Sequence, residues 1–160
     1  SKEALAQLYA ETKSAVYGFA LSILKNSHDA EDTMQEAYIR IYANAHTYTA
    51  QGKPLAWILT IVRNLALMKL REQARDATLP PEDWEIPDVT YGPDDNKLLV
   101  SALLNRLTDQ ERQIVTLHAL TALKHREIAA LLELPLSTVL SKYRRALDKL
   151  KKSMKEEDLR

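Results

Sequence analysis

Apolar residues recur at three- and four-residue intervals along most of this chain, the spacing that places them on one side of an α-helix. Leu5, Leu8, Tyr9, Val16, Tyr17, Phe19, Ala20, Ile23 and Leu24 predict one or two amphipathic helices, ending near Asn26 and Ser27. A second helix opens on Asp29, Glu31 and Asp32 and continues its buried side through Ala37, Tyr38, Ile41 and Tyr42. The polar stretch His46 to Pro54 holds Gly52 and Pro54 and reads as a loop. A third long helix runs from Leu55 to Arg75. After an interruption, Lys97 to Arg106 predicts a short helix, and Thr108 with Glu111 forms the capping-box signature of the next, which carries Ile114, Val115 and Leu117. No stretch alternates as a strand would, so the expected fold is all-α.

The final segment, Lys124 to Lys152, is the most informative. Ile128, Ala129, Leu131 and Leu132 face inward from one helix, Glu133 to Leu136 form a turn, and Ser137 is expected to cap a second helix. On that second helix Val139, Tyr143, Ala146, Leu147, Leu150 and Met154 form the expected buried stripe. Ser137, Thr138, Ser141, Arg144 and Arg145 group on the other side. Helix, short turn and two-faced helix together read as a helix-turn-helix, although such pairs also occur in proteins that bind no nucleic acid. Charge favours DNA: Lys142, Arg144, Arg145, Lys149, Lys151, Lys152 and Lys155 meet only the acid Asp148 within their span.

The formal net charge of zero hides a division along the chain. Residues 1–75 carry nine basic and seven acidic side chains, residues 76–96 carry seven acids and no base, and residues 97–160 carry thirteen bases and eight acids. The middle interval also holds Pro80, Pro81, Pro87 and Pro93, which remove backbone donors and oppose helix formation. It reads as an acidic linker over 76–94 between two small helical domains, 1–75 and 95–160. With 46% hydrophobic and 28% charged residues, both can build cores. The absence of cysteine rules out disulfides and thiolate metal sites, and no apolar run approaches the ~20 residues that cross a bilayer. No signal sequence is visible, so the expectation is a cytoplasmic protein without membrane insertion. His28 near carboxylates and His125 near Glu127 offer neither a complete metal set nor a nucleophile with its base. No catalytic, metal or cofactor site is expected.

Four strings now gain meaning together: DAEDTMQEAYIRIY at Asp29 to Tyr42, WILTIVRNLALMKLR at Trp57 to Arg71, and the C-terminal EIA and TVLSKYRRAL. In this order, with the acidic linker between them, they resemble bacterial RNA polymerase sigma factors of the sigma-70 family. The likeness is to the small extracytoplasmic-function (ECF) group, which keeps only a domain that melts the minus-ten element and a domain that reads the minus-thirty-five element. The resemblance implies a transcription initiation factor that binds core RNA polymerase, directs it to promoter DNA and helps open it, with an anti-sigma factor as a further partner. A stand-alone helix-turn-helix regulator acting without polymerase is the alternative reading.

The resemblance also implies roles for matching residues. Ala30, Glu31, Asp32, Gln35, Glu36 and Tyr38 match the polymerase-docking motif, with Glu31, Asp32, Gln35 and Glu36 as contacts. For Asp29, Glu31 and Asp32, acids favoured by a helix N-terminus are an ordinary structural alternative. Tyr48, Thr49, Gln51 and Lys53 match the loop that captures an unstacked base, and Arg63 and Asn64 lie on the helix beneath the minus-ten element. These are suitable types, because base extraction needs stacking surfaces, amide or hydroxyl partners and cations. Trp57, among Ile58, Ile61 and Val62, reads as core. In the second domain Thr138, Ser141, Lys142, Arg144 and Arg145 match the recognition helix, where an arginine fork suits guanine O6 and N7. The acidic linker is implied to thread toward the RNA exit path, with solubility as its ordinary reading. Departures from the family pattern include His118 in place of an Arg, Ala122 and Glu133 in place of turn glycines, Leu140 in place of Lys or Arg, and Met68 in place of Asp.

Overall fold

The computed structural model describes residues 2–45, 54–76 and 102–158. The chain divides into two compact units, Ser1–Glu82 and Asp83–Arg160. The expected linker and the loop bearing Tyr48, Thr49, Gln51 and Lys53 lie outside the described residues. Every regular element among the described residues is helical.

In the first unit, α1 (Lys2–Leu24), α2 (Ser27–Ala43) and α3 (Pro54–Arg75) each pack against the other two. The C-terminal half of α1 is buried on several sides, with Ala15, Val16, Phe19, Ala20, Ile23 and Leu24 in the core. Ala30, Ala37 and Ile41 face it from α2, and Ile58, Leu59, Val62 and Ala66 from α3. Fully buried alanines on all three helices let the axes approach closely around the large Phe19 and Ile58 side chains. Between α1 and α2 the chain turns at Lys25, whose φ of 58° is left-handed and whose N–H donates to Leu21 O. Asn26 then caps α2, its Oδ1 accepting from Asp29 N at 2.9 Å.

A polar contact fixes the outer end of α1 against α2. Thr12 Oγ1 donates to Leu8 O at 2.7 Å and stands 2.6 Å from Tyr38 Oη. Because its single proton is already committed, the Tyr38 hydroxyl is the donor in that second bond. Burial, partly offset by the Thr12 bond and reinforced by nearby Tyr9, raises the Tyr38 pKa above the ordinary phenol value. Tyr42, expected in this core, is instead 60% exposed, and Tyr9 is also exposed.

In the second unit, residues 102–105 are helical and α4 (Asp109–Leu120), α5 (His125–Leu132) and α6 (Leu136–Asp158) follow. The expected capping box is present: Glu111 N donates to Thr108 Oγ1 at 3.2 Å and Thr108 N to Glu111 Oε1 at 2.9 Å. The core is Leu107, Ile114, Leu117, Leu123, Ile128, Ala129, Leu131, Leu132, Val139 and Ala146. Helix α6 packs on both α4 and α5. Its fully buried row runs through Val139, Ala146 and Ser153. Tyr143, Leu147 and Leu150 flank that row half-buried, and Met154, expected inside, is 54% exposed. The small Ser153 takes the inner position one residue earlier, where its hydroxyl accepts from Arg106 Nη1 at 2.8 Å.

Among the described residues of this unit two charged side chains are buried, and each has partners. Arg112 donates to Asp109 Oδ1, Leu107 O and Leu104 O, closing the end of the preceding helical stretch. Glu111 Oε1 receives Lys149 Nζ at 2.7 Å, linking α4 to α6. Burial opposes its ionisation, but the bonds from Lys149 and Thr108 prevail and hold its pKa below the usual carboxylate value.

The turn between α5 and α6 is a Schellman motif. Leu134 N donates to Ala129 O at 2.9 Å and Glu133 N to Ala130 O at 3.3 Å, with Glu133 left-handed at φ 57°, ψ 44°. Helix α6 begins at Leu136, and Pro135 O accepts from Thr138 N and Val139 N. Ser137 is therefore inside the first turn and is not the cap: proline, lacking an N–H, already stops the preceding chain at that point. A left-handed glutamate costs roughly 1 kcal/mol relative to glycine. Glu133→Gly should raise stability by about that amount in urea unfolding, without altering the helical circular dichroism.

Candidate nucleic-acid and polymerase interfaces

On α2 the buried positions Ala30, Thr33, Ala37 and Ile41 define one side, and Glu31, Asp32, Gln35 and Glu36 are all exposed on the other. Asp29 is not part of that outer strip. Its carboxylate accepts from Gln73 Nε2 at 2.8 Å and lies 3.5 Å from Lys69 Nζ, so it ties α2 to the C-terminal half of α3. Asp32 stands 3.6 Å from both Lys69 Nζ and His28 Nε2 while keeping half its side chain in solvent. Glu36 pairs with Arg40 one turn on. Two residues of the motif face inward: Ala30 is fully buried, and Tyr38 is the tether to Thr12. The outer strip also includes Ile39, 64% exposed, and Tyr42, neither of which the sequence marked as a surface contact. Their exposure beside carboxylates is the signal, and only packing reveals it.

On α3 the buried row Ile58, Leu59, Val62 and Ala66 leaves Thr60, Asn64 and Met68 exposed. Arg63 is half-buried at the edge of this surface. Trp57, expected in the core, is only half-buried; it lies seven residues before Asn64 and so on the same side of the helix. Leu59, which the sequence did not single out, is fully buried.

Helix α6 presents Ser141, Arg144 and Arg145 to solvent, with Thr138 and Lys142 half-buried at the margin. Ser141 Oγ donates to Thr138 O at 3.3 Å and receives Arg145 Nη2 at 3.5 Å, a long contact that holds the guanidinium along the helix. Among residues whose side chains are described, none supplies an ion-pair partner to Arg144. Lys149 is not available in the same way, because Glu111 holds it. Lys124 and Arg126, at the start of α5, are exposed and add two cations that a reading confined to α6 overlooks.

Beneath these residues three rings join three helices. His118 Nε2 lies 2.9 Å from His125 Nδ1, and the centroids of His118 and Tyr143 are 4.2 Å apart. His118 thus fills the space between α4, α5 and α6. Among the described residues no group of three or more His, Asp or Glu is placed to hold a metal ion. No helix among them is long and apolar enough to cross a membrane.

Comparison with known proteins agrees with this architecture. Residues 8–76 match the Sigma-70 region 2 model and residues 97–150 the Sigma-70 region 4 model. The ECF RNA polymerase sigma factor SigK of Mycobacterium tuberculosis is 33% identical over 158 residues, covering 92% of this chain and 84% of the relative. SigK of Mycolicibacterium vanbaalenii is 29% identical over 163 residues, covering 95% and 82%. Among solved structures, the sigma factor RpoE in complex with the anti-sigma factor NepR from Bartonella quintana matches with a TM-score of 0.80 at 22% identity, over 97% of this chain and 98% of that one. CnrH, solved with the cytosolic domain of CnrY, matches with a TM-score of 0.69 at 21% identity, over 98% and 90%. The chain belongs to the sigma-70 family of transcription initiation factors. Within it, it is an ECF sigma factor, which binds core RNA polymerase, directs it to promoters and helps open the DNA.

Burial first, and then the neighbouring His125, lower the His118 pKa below the ordinary imidazole value of about 6.5. The folded chain therefore takes up this proton less readily than the unfolded chain. Its stability is unaffected above that pH and falls as pH drops below it. The unfolding midpoint of residues 102–158, followed by NMR from pH 7.5 to 5.5, should fall on the acid side. His118→Phe should show a smaller fall over the same range.

Proposed function

We propose that Glu31, Asp32, Gln35 and Glu36 contact core polymerase, with Ile39 and Tyr42 supplying the apolar part of the same surface. We further propose that Arg63 and Asn64, with Tyr48, Thr49, Gln51 and Lys53 of the preceding loop, engage the minus-ten element. Thr138, Ser141, Lys142, Arg144 and Arg145 address the minus-thirty-five element. One observation carries the reading: on α2, α3 and α6 the expected contacts line the outer side of a helix whose opposite side is locked into a core. An interface with apolar residues bordered by charges suits the α2 strip. Trp57, two turns before Asn64 on the same side of α3, offers a stacking surface to an extracted base, which supports a role in DNA opening over a purely structural one. Lys124 and Arg126 suit phosphates at the edge of the groove, as the first helix of a helix-turn-helix crosses the backbone.

The domain limits 1–75 and 95–160, and an acidic linker at 76–94 that runs toward the RNA exit path, complete the proposal. An anti-sigma factor that covers these surfaces is the expected regulator, and the cytoplasm, where polymerase and promoters are found, the expected location. The factor itself carries out no covalent chemistry; the polymerase supplies it.

Asp32→Arg should abolish association with core polymerase in a binding titration. Because Asp32 makes only surface ion pairs, stability should change by no more than about 1 kcal/mol. Retained association would remove Asp32 from the docking surface. In run-off transcription from promoter variants, Arg145→Ala should lose about 1 to 3 kcal/mol of discrimination at one upstream position. Lys142→Ala should weaken all templates alike. Equal, sequence-blind losses from both substitutions would reject the division into base and phosphate contacts.

A further inference from the structure

The outward side of α6 is not uniformly polar. Leu136 and Leu140, four residues apart and therefore stacked on one side of the helix, are 44% and 45% exposed. They lie in line with Arg144 a further turn along, between the buried row headed by Val139 and the polar group of Ser141 and Arg145. Each keeps nearly half of its surface in solvent, on a helix otherwise rich in lysine and arginine. Val139, Ala146 and Tyr143 face α4 and α5 from the neighbouring side.

We propose that Leu140, supported by Leu136, reads thymine in the minus-thirty-five element by apolar contact with its C5-methyl group. The inference rests on the assignment of α6 to the major groove. Two features favour DNA over a protein surface as the occupant. The leucines share their side of the helix with Arg144, for which no described side chain supplies an ion-pair partner, and Ser141 and Arg145 follow next around the exposed surface. A protein partner seated on them would have to cover those cations too, whereas phosphates flank every base edge in the groove. In the major groove the thymine methyl is also the only apolar group by which a base pair is distinguished. Arg144 and Arg145 suit guanine, so the helix would combine an apolar reader at its N-terminal end with guanidinium readers one turn further on.

The test uses holoenzyme assembled from core polymerase and the full chain. A library randomised in the upstream element is selected, and each thymine of the preferred sequence is then replaced singly by deoxyuridine, which lacks only the methyl. At one or two adjacent positions the wild-type holoenzyme should bind the deoxyuridine promoter about four-fold more weakly, the effect of exposing one methyl-sized group. Leu140→Ala should bind both promoters alike at that position and keep its discrimination for guanine elsewhere. Since Leu140 is exposed and alanine favours helix, folding is not at stake. An upstream element without thymine, no response to deoxyuridine at any position, or an unchanged response in both Leu140→Ala and Leu136→Ala overturns the proposal. So does a loss of core-polymerase binding by Leu140→Ala without DNA, since the leucines would then cover protein. Failure of the holoenzyme to select any upstream sequence would overturn the groove assignment itself, a result distinct from selection without methyl sensitivity.

Discussion

A helix that leaves one side exposed has only its other side with which to hold its place. In this protein α2, α3 and α6 all meet that constraint with narrow buried rows containing small residues: Ala30, Thr33 and Ala37 on α2, Ala66 on α3, and Ala146 and Ser153 on α6. Close approach of backbones compensates for the small apolar area of each row, because dispersion contacts fall away steeply with any gap. The rest of the anchoring is polar. The Tyr38–Thr12 bond fixes α2 on α1, Lys69 and Gln73 hold the start of α2 from α3, and Lys149 and Ser153 fasten α6 to the elements before it.

This division of labour explains what the sequence made legible. Long helices, the break at Asn26, the capping box at Thr108 and the inward set Ile128 to Leu132 follow from periodicity and local chemistry, which depend on near neighbours. The misread residues are those decided by distant ones. Tyr42, Met154 and Trp57 have the character of core residues, yet each stays partly or largely exposed. Ser153 and Leu59 occupy two of the inward positions. The burial of Glu111 was equally hidden, since its partner Lys149 is 38 residues away. Ser137 looks like a cap, but Pro135 sets the helix start by covalent restriction before any hydroxyl is needed.

For the candidate sites, residue type was legible and orientation was not. The motif on α2 mixes outward Glu31, Asp32, Gln35 and Glu36 with inward Ala30 and Tyr38, so a contiguous match contains both exposed residues and a tether. His118 shows the same thing from the opposite direction. Compared with a DNA-contacting arginine it looks like a lost cation, but its ring closes the junction of three helices against His125 and Tyr143. The ring thereby supports α6 from beneath.

The Lys149–Glu111 contact has a consequence for how the chain behaves away from polymerase. DNA affinity that does not depend on sequence grows with the number of counterions a protein displaces, roughly one for each phosphate it neutralises. A lysine already matched to a carboxylate at 2.7 Å displaces none, so the cationic run of α6 works as fewer charges than it contains. The internal ion pair thus fastens α6 and at the same time removes one cation from those it can offer to a polyanion.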